Sequence, residues 1–250
     1  MLRKGLGVLA AVGYLAGVAV AGTLYYVRDD TKELWKLDTD TLVRTRVGAT
    51  GVGGDFGDLA YDRNTNTMFF VAGRGNNNLY TINLNTGAAT LVGSHGVGDL
   101  FTLGVDSSGQ LYGQSTNTRV YKIDRNTGSA APIGSNNVYP GGYTWNYNTN
   151  QMIFLEAGGG AVFEVNLTNG SATLLKAGQG FINDNDIAWD WDKNQYWVMD
   201  WSGSLIKFDS SFNRTNVGSG YGSVASVAYV PEPAALALLM LGGLALIRRR

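Results

Sequence analysis

The sequence predicts an all-β fold. It is read as a five-bladed β-propeller over residues 22–230, closed by a blade shared between the two ends of the chain, with an N-terminal signal helix and a short hydrophobic C-terminal helix flanking it. Three observations carry that reading. Residues 79–93, LYTINLNTGAATLVG, recur in related form at 34–48 (LWKLDTDTLVRTRVG), 120–134 (VYKIDRNTGSAAPIG), 162–176 (VFEVNLTNGSATLLK) and 205–218 (LIKFDSSFNRTNVG). The polar residue closing the first half of each is Asp38, Asn83, Asp124, Asn166 and Asp209, at spacings of 45, 41, 42 and 43. A period in the forties built from short strand signals is that of a propeller blade. Each repeat also resolves into four strand signals. Finally, Leu24-Tyr25-Tyr26-Val27 aligns with Met68-Phe69-Phe70-Val71 at an offset of 44, so the body starts on a second strand and its missing innermost strand is the segment 226–230. First and last segments then complete one blade and protect its edges. A non-closing β-solenoid or a sandwich of the same strands is the alternative.

Taken in order, innermost strands are expected at Leu59-Ala60-Tyr61, Leu103-Gly104-Val105, Thr144-Trp145, Ile187-Ala188-Trp189 and Val227-Ala228-Tyr229. The small residue between larger ones (Ala60, Gly104, Ala188, Ala228) suits a narrow axis crowded by five strands. Second strands follow at 68–71, 111–113, 152–155 and 196–199; third strands open the repeats quoted above; fourth strands end at Val47, Val92, Ile133, Leu175 and Val217. Third-strand aromatics (Trp35, Tyr80, Tyr121, Phe163) alternate with Leu37, Ile82, Ile123 and Val165, which reads as packing between blades rather than as a sugar platform. In the turns, Asn83 and Asp124 offer an Asx side chain to nearby backbone donors, and Gly87 and Gly128 can take positive φ. Asp62 and Asp106 open similar turns between first and second strands. A calcium loop needs several acidic oxygens in one loop; most of these offer one, so structural turns are expected and no metal.

Composition excludes some functions. There is no cysteine, hence no disulfide or thiolate chemistry. Between residues 22 and 230 there are 14 basic and 19 acidic residues, a net of −5. A mildly acidic body without a basic stripe argues against nucleic acid as a partner. The only histidine, His95, is read as a loop surface residue, and it precludes a multi-histidine metal site. No Gly-x-Ser-x-Gly elbow, phosphate loop or dinucleotide fingerprint is present in a suitable context, and no cofactor is expected.

The two ends carry addresses. Residues 1–21 have Arg3 and Lys4, an apolar run from Gly5 to Val20, and Ala19-Val20-Ala21 as a small-x-small cleavage site, the layout of a secretory signal peptide. An uncleaved anchor is the alternative. At the other end, Pro231-Glu232-Pro233 precedes fourteen apolar residues, AALALLMLGGLALI, and then Arg248, Arg249 and Arg250. As a helix those fourteen would rise about 21 Å, short of a hydrocarbon core of about 30 Å, which suits a transient span. The arginines favour the cytoplasmic side. This tripartite tail, residues 230–250, resembles the PEP-CTERM sorting signal of Gram-negative, mostly environmental and biofilm-forming bacteria. The resemblance implies a membrane-embedded exosortase that recognises Pro231-Glu232-Pro233. It also implies transient inner-membrane insertion, then delivery to the cell surface or outside, often where exopolysaccharide is made. The repeat style itself is similar to many secreted bacterial propellers, a broad likeness only.

Loops entering the innermost strands share a face with those joining second to third strands. That face would receive Asp55, Asp58, Asp99, Asp184, Asp186 and Asp200, together with Arg74, Trp201 and Asn76–78, as a shallow polar rim for a cation or sugar. Asp190-Trp191-Asp192-Lys193-Asn194 and Trp201 give the fifth repeat a tryptophan-rich corner, read as packing. The expected function is a non-catalytic surface or matrix protein whose propeller face binds polysaccharide or protein. The alternative is a secreted hydrolase or lyase acting on polysaccharide through the acidic loops, which would need two carboxylates facing each other at a set separation.

Overall fold

The computed structural model of the chain describes residues 22–231, so the expected signal helix and C-terminal helix lie outside the described residues. Within them the only regular elements are twenty strands in five four-stranded antiparallel sheets. From the axis outward, the first complete blade is β4 (Asp58–Asp62), β5 (Thr67–Val71), β6 (Asn78–Ile82) and β7 (Ala89–Ser94). The second is β8 (Leu100–Val105), β9 (Leu111–Ser115), β10 (Arg119–Ile123) and β11 (Ala130–Ser135). The third is β12 (Pro140–Asn146), β13 (Gln151–Glu156), β14 (Val162–Val165) and β15 (Ala172–Lys176). The fourth is β16 (Asn185–Asp190), β17 (Gln195–Asp200), β18 (Leu205–Asp209) and β19 (Arg214–Gly218). The last blade joins the two ends: β20 (Val224–Val230) pairs with β1 (Thr23–Arg28), followed by β2 (Glu33–Asp38) and β3 (Arg44–Ala49).

The shared blade is as the sequence predicts. Leu24 lies opposite Tyr229 and Tyr25 opposite Ala228. Innermost strands neighbour one another in the cyclic order β4, β8, β12, β16, β20 and back to β4, so the circle closes and the solenoid and sandwich alternatives fall. β8, β16 and β20 are buried along their whole length, as strands covered on both faces must be. Fourth strands run one or two residues past the predicted ends.

Two local devices recur from blade to blade. In every blade the register slips between third and fourth strands at the second residue of the repeat, between Leu34 and Trp35, Leu79 and Tyr80, Val120 and Tyr121, Val162 and Phe163, and Leu205 and Ile206. Such a bulge bends the strand and increases its twist. The recurring aromatics beside it pack into the hydrophobic clusters between sheets, as expected. The Asx turns are also formed: Asp62 accepts from Asn64 N at 2.9 Å, Asn83 from Asn85 N at 2.9 Å, Asp106 from Ser108 N at 2.8 Å and Asp124 from Asn126 N at 2.8 Å.

The second glycine of the repeat has a role that turn chemistry does not predict. A Cβ on Gly48, Gly93 or Gly134, at the end of a fourth strand, would run into the carbonyl oxygen of Thr86, Thr127 or Asn169 in the next blade's turn. The glycines of those turns, Gly87, Gly128 and Gly170, lie against the same three residues from the other side. Strand-end glycine and turn glycine therefore meet backbone to backbone at three of the seams. At the seam between the third and fourth complete blades both depart together: the strand ends in Lys176, and the turn has Phe212 at positive φ where those three have glycine.

Candidate functional site

The face of the propeller formed by loops entering the innermost strands holds an aromatic stack. Phe56 lies against Trp201 with ring centroids 4.3 Å apart and against Phe101 at 5.4 Å. The Arg74 guanidinium sits over the Phe56 ring at 4.7 Å and over Phe101 at 5.5 Å. Local chemistry holds this arrangement. Arg74 N donates to the Asp55 carbonyl at 2.7 Å, joining the loop after β5 to the loop before β4. Phe56 adopts a φ of 60°, unfavourable for a bulky side chain, and its N–H donates to Asp29 Oδ2 at 3.0 Å. Burial pushes the Asp29 carboxyl up to about 7, against the pull of the Phe56 N–H and of Lys32.

Around the stack stand Tyr139, 42% exposed, and Asp99 and Asp184, both half-buried. Burial, then Asp184, then Asp99 raise the Tyr139 hydroxyl, while Arg74 opposes them, which places all four groups in one neighbourhood. Burial also raises Asp184, offset by Arg74. Arg74 is exposed and takes part in none of the ion pairs among the described residues. Its face is occupied by rings, and its edge of N–H donors is open.

Of the expected rim residues, the structure thus brings together Arg74, Asp99, Asp184 and Trp201. The others serve elsewhere. The Asp55 side chain is paired with Lys32 at the edge of the same loop. Asp200, almost fully buried, accepts from Ser204 N at 2.8 Å and so closes its own turn. Asn76 donates to the Gly53 carbonyl at 3.0 Å and accepts from Asn78 N at 3.1 Å, which makes the asparagine run loop scaffolding.

Asp58 and Asp186 are not rim residues at all. Both are 0% exposed on the axis. Asp58 accepts from Leu59 N and, across the seam, from Leu103 N, each at 2.6 Å. Asp186 accepts from Ile187 N at 2.6 Å and, across its seam, from Val227 N at 2.5 Å. Thr144 does the same between β12 and β16, accepting from Trp189 N at 2.9 Å. The physical reason is that neighbouring innermost strands do not pair with each other. Their axial N–H groups would be buried without partners, and these side chains supply the acceptors. The two carboxyls also lie close enough to perturb one another. Burial, with Asp186 nearby, raises Asp58 well above the carboxylate range, and burial raises Asp186 to about 7. Like charges this close do not both ionise, so the pair holds a proton at neutral pH.

Two further expectations are corrected. His95 is not a surface residue: it is 4% exposed, Nδ1 accepts from Val97 N at 3.2 Å, and burial lowers its pKa to about 4. A glycine-flanked loop reads as exposed, but this one folds back under the loop after β5, with His95 N donating to the Asn77 carbonyl. The tryptophan corner is split as well. Trp191 follows β16 and packs between Tyr147 and Tyr229, whereas Trp201 follows β17, at the other end of the blade. Asp29, Phe56, Phe101 and Tyr139 escaped the sequence reading. The available signal for Phe56 is an aromatic set among glycines in Gly53-Gly54-Asp55-Phe56-Gly57. Among the described residues, no group of three or more His, Asp or Glu could hold a metal ion.

The fold and this ring of loops define a repeat protein of the propeller class. Residues 6–188 match the family described as a repeat of unknown function (DUF6923), and the chain belongs to that family. No curated protein matches it. Among solved structures, a structural-genomics protein of unknown function from Bacteroides thetaiotaomicron VPI-5482 is similar at a TM-score of 0.60 and 12% identity, over 86% of this chain and 66% of that one. A chain of a nidogen/laminin complex is similar at 0.57 and 14%, over 84% of this chain and 81% of that one. Likeness at these identities concerns the fold.

Proposed function

We propose that this protein is a non-catalytic exported surface or matrix protein whose loop face binds a polysaccharide or a protein. The observation that carries the binding reading is Arg74, laid on Phe56 and Phe101 with its donor edge open, next to Trp201, Tyr139, Asp99 and Asp184. Rings that stack, an arginine that donates and carboxylates that accept are the groups that recur where few residues carry most of a binding energy. The carboxyl pair that could have served a hydrolase is sealed on the axis with its oxygens engaged by backbone N–H groups.

The export half of the proposal rests on the ends of the sequence. The layout of residues 1–21 supports a signal peptide. The Pro-Glu-Pro, apolar and arginine segments of 231–250 support a PEP-CTERM signal handled by an exosortase-like enzyme during transient inner-membrane insertion. β20 stops at Val230, so the tail is not needed by a strand. A glycan-array and surface-protein binding screen tests the binding reading. Trp201→Ala and Arg74→Ala should each weaken the ligand found by roughly tenfold or more with little change in melting temperature. Polysaccharide turnover lost in Asp184→Asn would replace the binder by the hydrolase or lyase. Cell fractionation of a chain lacking residues 231–250 tests the address, with altered surface delivery expected.

A further inference from the structure

The opposite end of the axis is built differently and has its own chemistry. There the strand ends and the turns after them bring Tyr61, Trp145, Tyr147, Trp191 and Tyr229 around an axial cavity of about 30 Å³, whose deeper wall includes Ala60, Gly104, Ala188 and Ala228. The rings are set edge to face: Tyr147 and Trp191 have centroids 5.4 Å apart at 83°, and Trp191 and Tyr229 5.0 Å apart at 84°. Tyr61, Tyr147 and Trp191 are each only half-buried, so the wall is open to solvent at its outer edge.

A cation already sits on this wall. The Arg63 guanidinium, carried by the turn between β4 and β5, lies 4.5 Å from the Tyr147 ring centroid and 5.7 Å from that of Trp191. Arg63 takes part in none of the ion pairs among the described residues. The neighbouring carboxylates are engaged elsewhere. Asp62 pairs with Arg125 at 2.8 Å, Asp106 caps its own turn, Asp190 accepts from Trp197 Nε1 at 3.0 Å, and Asp192 accepts from the Tyr229 hydroxyl. Lys193, the other nearby cation, is paired with Asp40. What holds Arg63 is therefore the negative faces of two rings, near Asp106, Asp190 and Asp192, which are hydrogen-bonded but take part in none of the ion pairs among the described residues.

We propose that this aromatic end is a binding site for a quaternary ammonium group, with Arg63 as the resident cation that the ligand displaces. Ring faces attract any compact cation within about 6 Å of the centroid, and they offer no acceptor that would reward N–H donors. A ligand without N–H groups loses nothing here, and it sheds less hydration than an ammonium that must give up water hydrogen bonds. An exposed contact of this kind is weak, so Arg63 competes by only about two- to fivefold. The site is independent of the loop face, on the other side of the ring.

The test is isothermal titration of the full-length chain with tetramethylammonium chloride, against sodium chloride at equal concentration. Arg63→Ala should bind tetramethylammonium about two- to fivefold more tightly than the unsubstituted chain. Arg63→Ala combined with Trp191→Leu should lose that binding. Because Trp191 and Tyr147 each pack into two clusters, Arg63→Ala with Tyr147→Leu is a second, independent wall variant, and each is checked for an unchanged circular-dichroism spectrum. The proposal is overturned if Arg63→Ala shows no tetramethylammonium binding, if sodium gives the same response, or if binding persists in a folded wall variant. Loss or survival of binding at Trp201 and Arg74 does not bear on it.

Discussion

At the scale of single residues, three carboxyls and one imidazole set how this protein responds to pH. Asp58 and Asp186 on the axis, and Asp29 beneath Phe56, have folded-state pKa values raised by burial, the last two to about 7. Unfolded, such groups titrate near 3.9. The folded state therefore binds extra protons, and the stability it derives from Asp186 and Asp29 is full below about pH 4 and is lost as pH rises through 7. His95 works in the other direction. Its pKa is depressed to about 4, so its contribution is present above about pH 6.5 and is lost as pH falls toward 4. Thermal melts should show a lower melting temperature at pH 8 than at pH 6, and Asp186→Asn should shrink that gap. His95→Gln should flatten the acid limb between pH 6 and 4. A gap unchanged in Asp186→Asn would mean that the axial pair is not the titrating element. The sequence contained a sign of this pair. Asp58, Thr102, Asp186 and Ser226 occupy the same place at the start of four innermost strands, a recurring hydrogen-bonding side chain where apolar residues are the rule. Asp58 and Asp186 read as loop because the position borders the turn, and only the seam geometry shows that these two side chains point across to the next blade, whereas Thr102 and Ser226 accept from Gln114 N and Val27 N of their own blades.

At the scale of the element, the repeat was legible because its period is written in residues of strong preference: β-branched and aromatic strand formers, Asx turns, and Thr-Gly at the turn. What was not legible is the contact between repeats. Gly87 and Gly128 announce themselves through positive φ, at 81° and 78°, whereas Gly93 has an ordinary backbone and is demanded only by the Thr127 carbonyl of the neighbouring blade. Gly93→Ala should therefore destabilise by a few kcal/mol, because the obstacle is backbone and cannot swing aside. Gly53→Ala, where an added Cβ meets nothing within 4 Å, should stay within about 0.5 kcal/mol of the starting protein. Chemical denaturation of both variants measures the difference. The same distinction explains the binding face. Acidic loop residues could be enumerated from the sequence, but which of them face solvent depended on Asp29 turning Phe56 inward onto Trp201, an interaction spanning β1 and two blades.

At the scale of the whole molecule, the ring is fastened by one antiparallel pair whose partners lie about as far apart in sequence as the body allows. Val27 N donates to Ser226 Oγ across 199 residues. Removing residues 232–250 should leave the melting temperature within about 2 °C, since the last strand among the described residues ends at Val230. Removing residues 224–250 takes away β20, with seven buried residues, and should abolish cooperative unfolding in a thermal melt.

The fastening strand also has an intermolecular consequence. β20 is joined to the rest of its chain through 219–223 alone, and the edge of β1 that receives it is the same in every copy. When many chains refold together at high concentration, the β20 of one competes for the β1 of another, and linked rings are expected by exchange of ends. Size-exclusion chromatography after refolding should show dimers that grow with protein concentration and dissociate only on unfolding, while dilute refolding yields monomer.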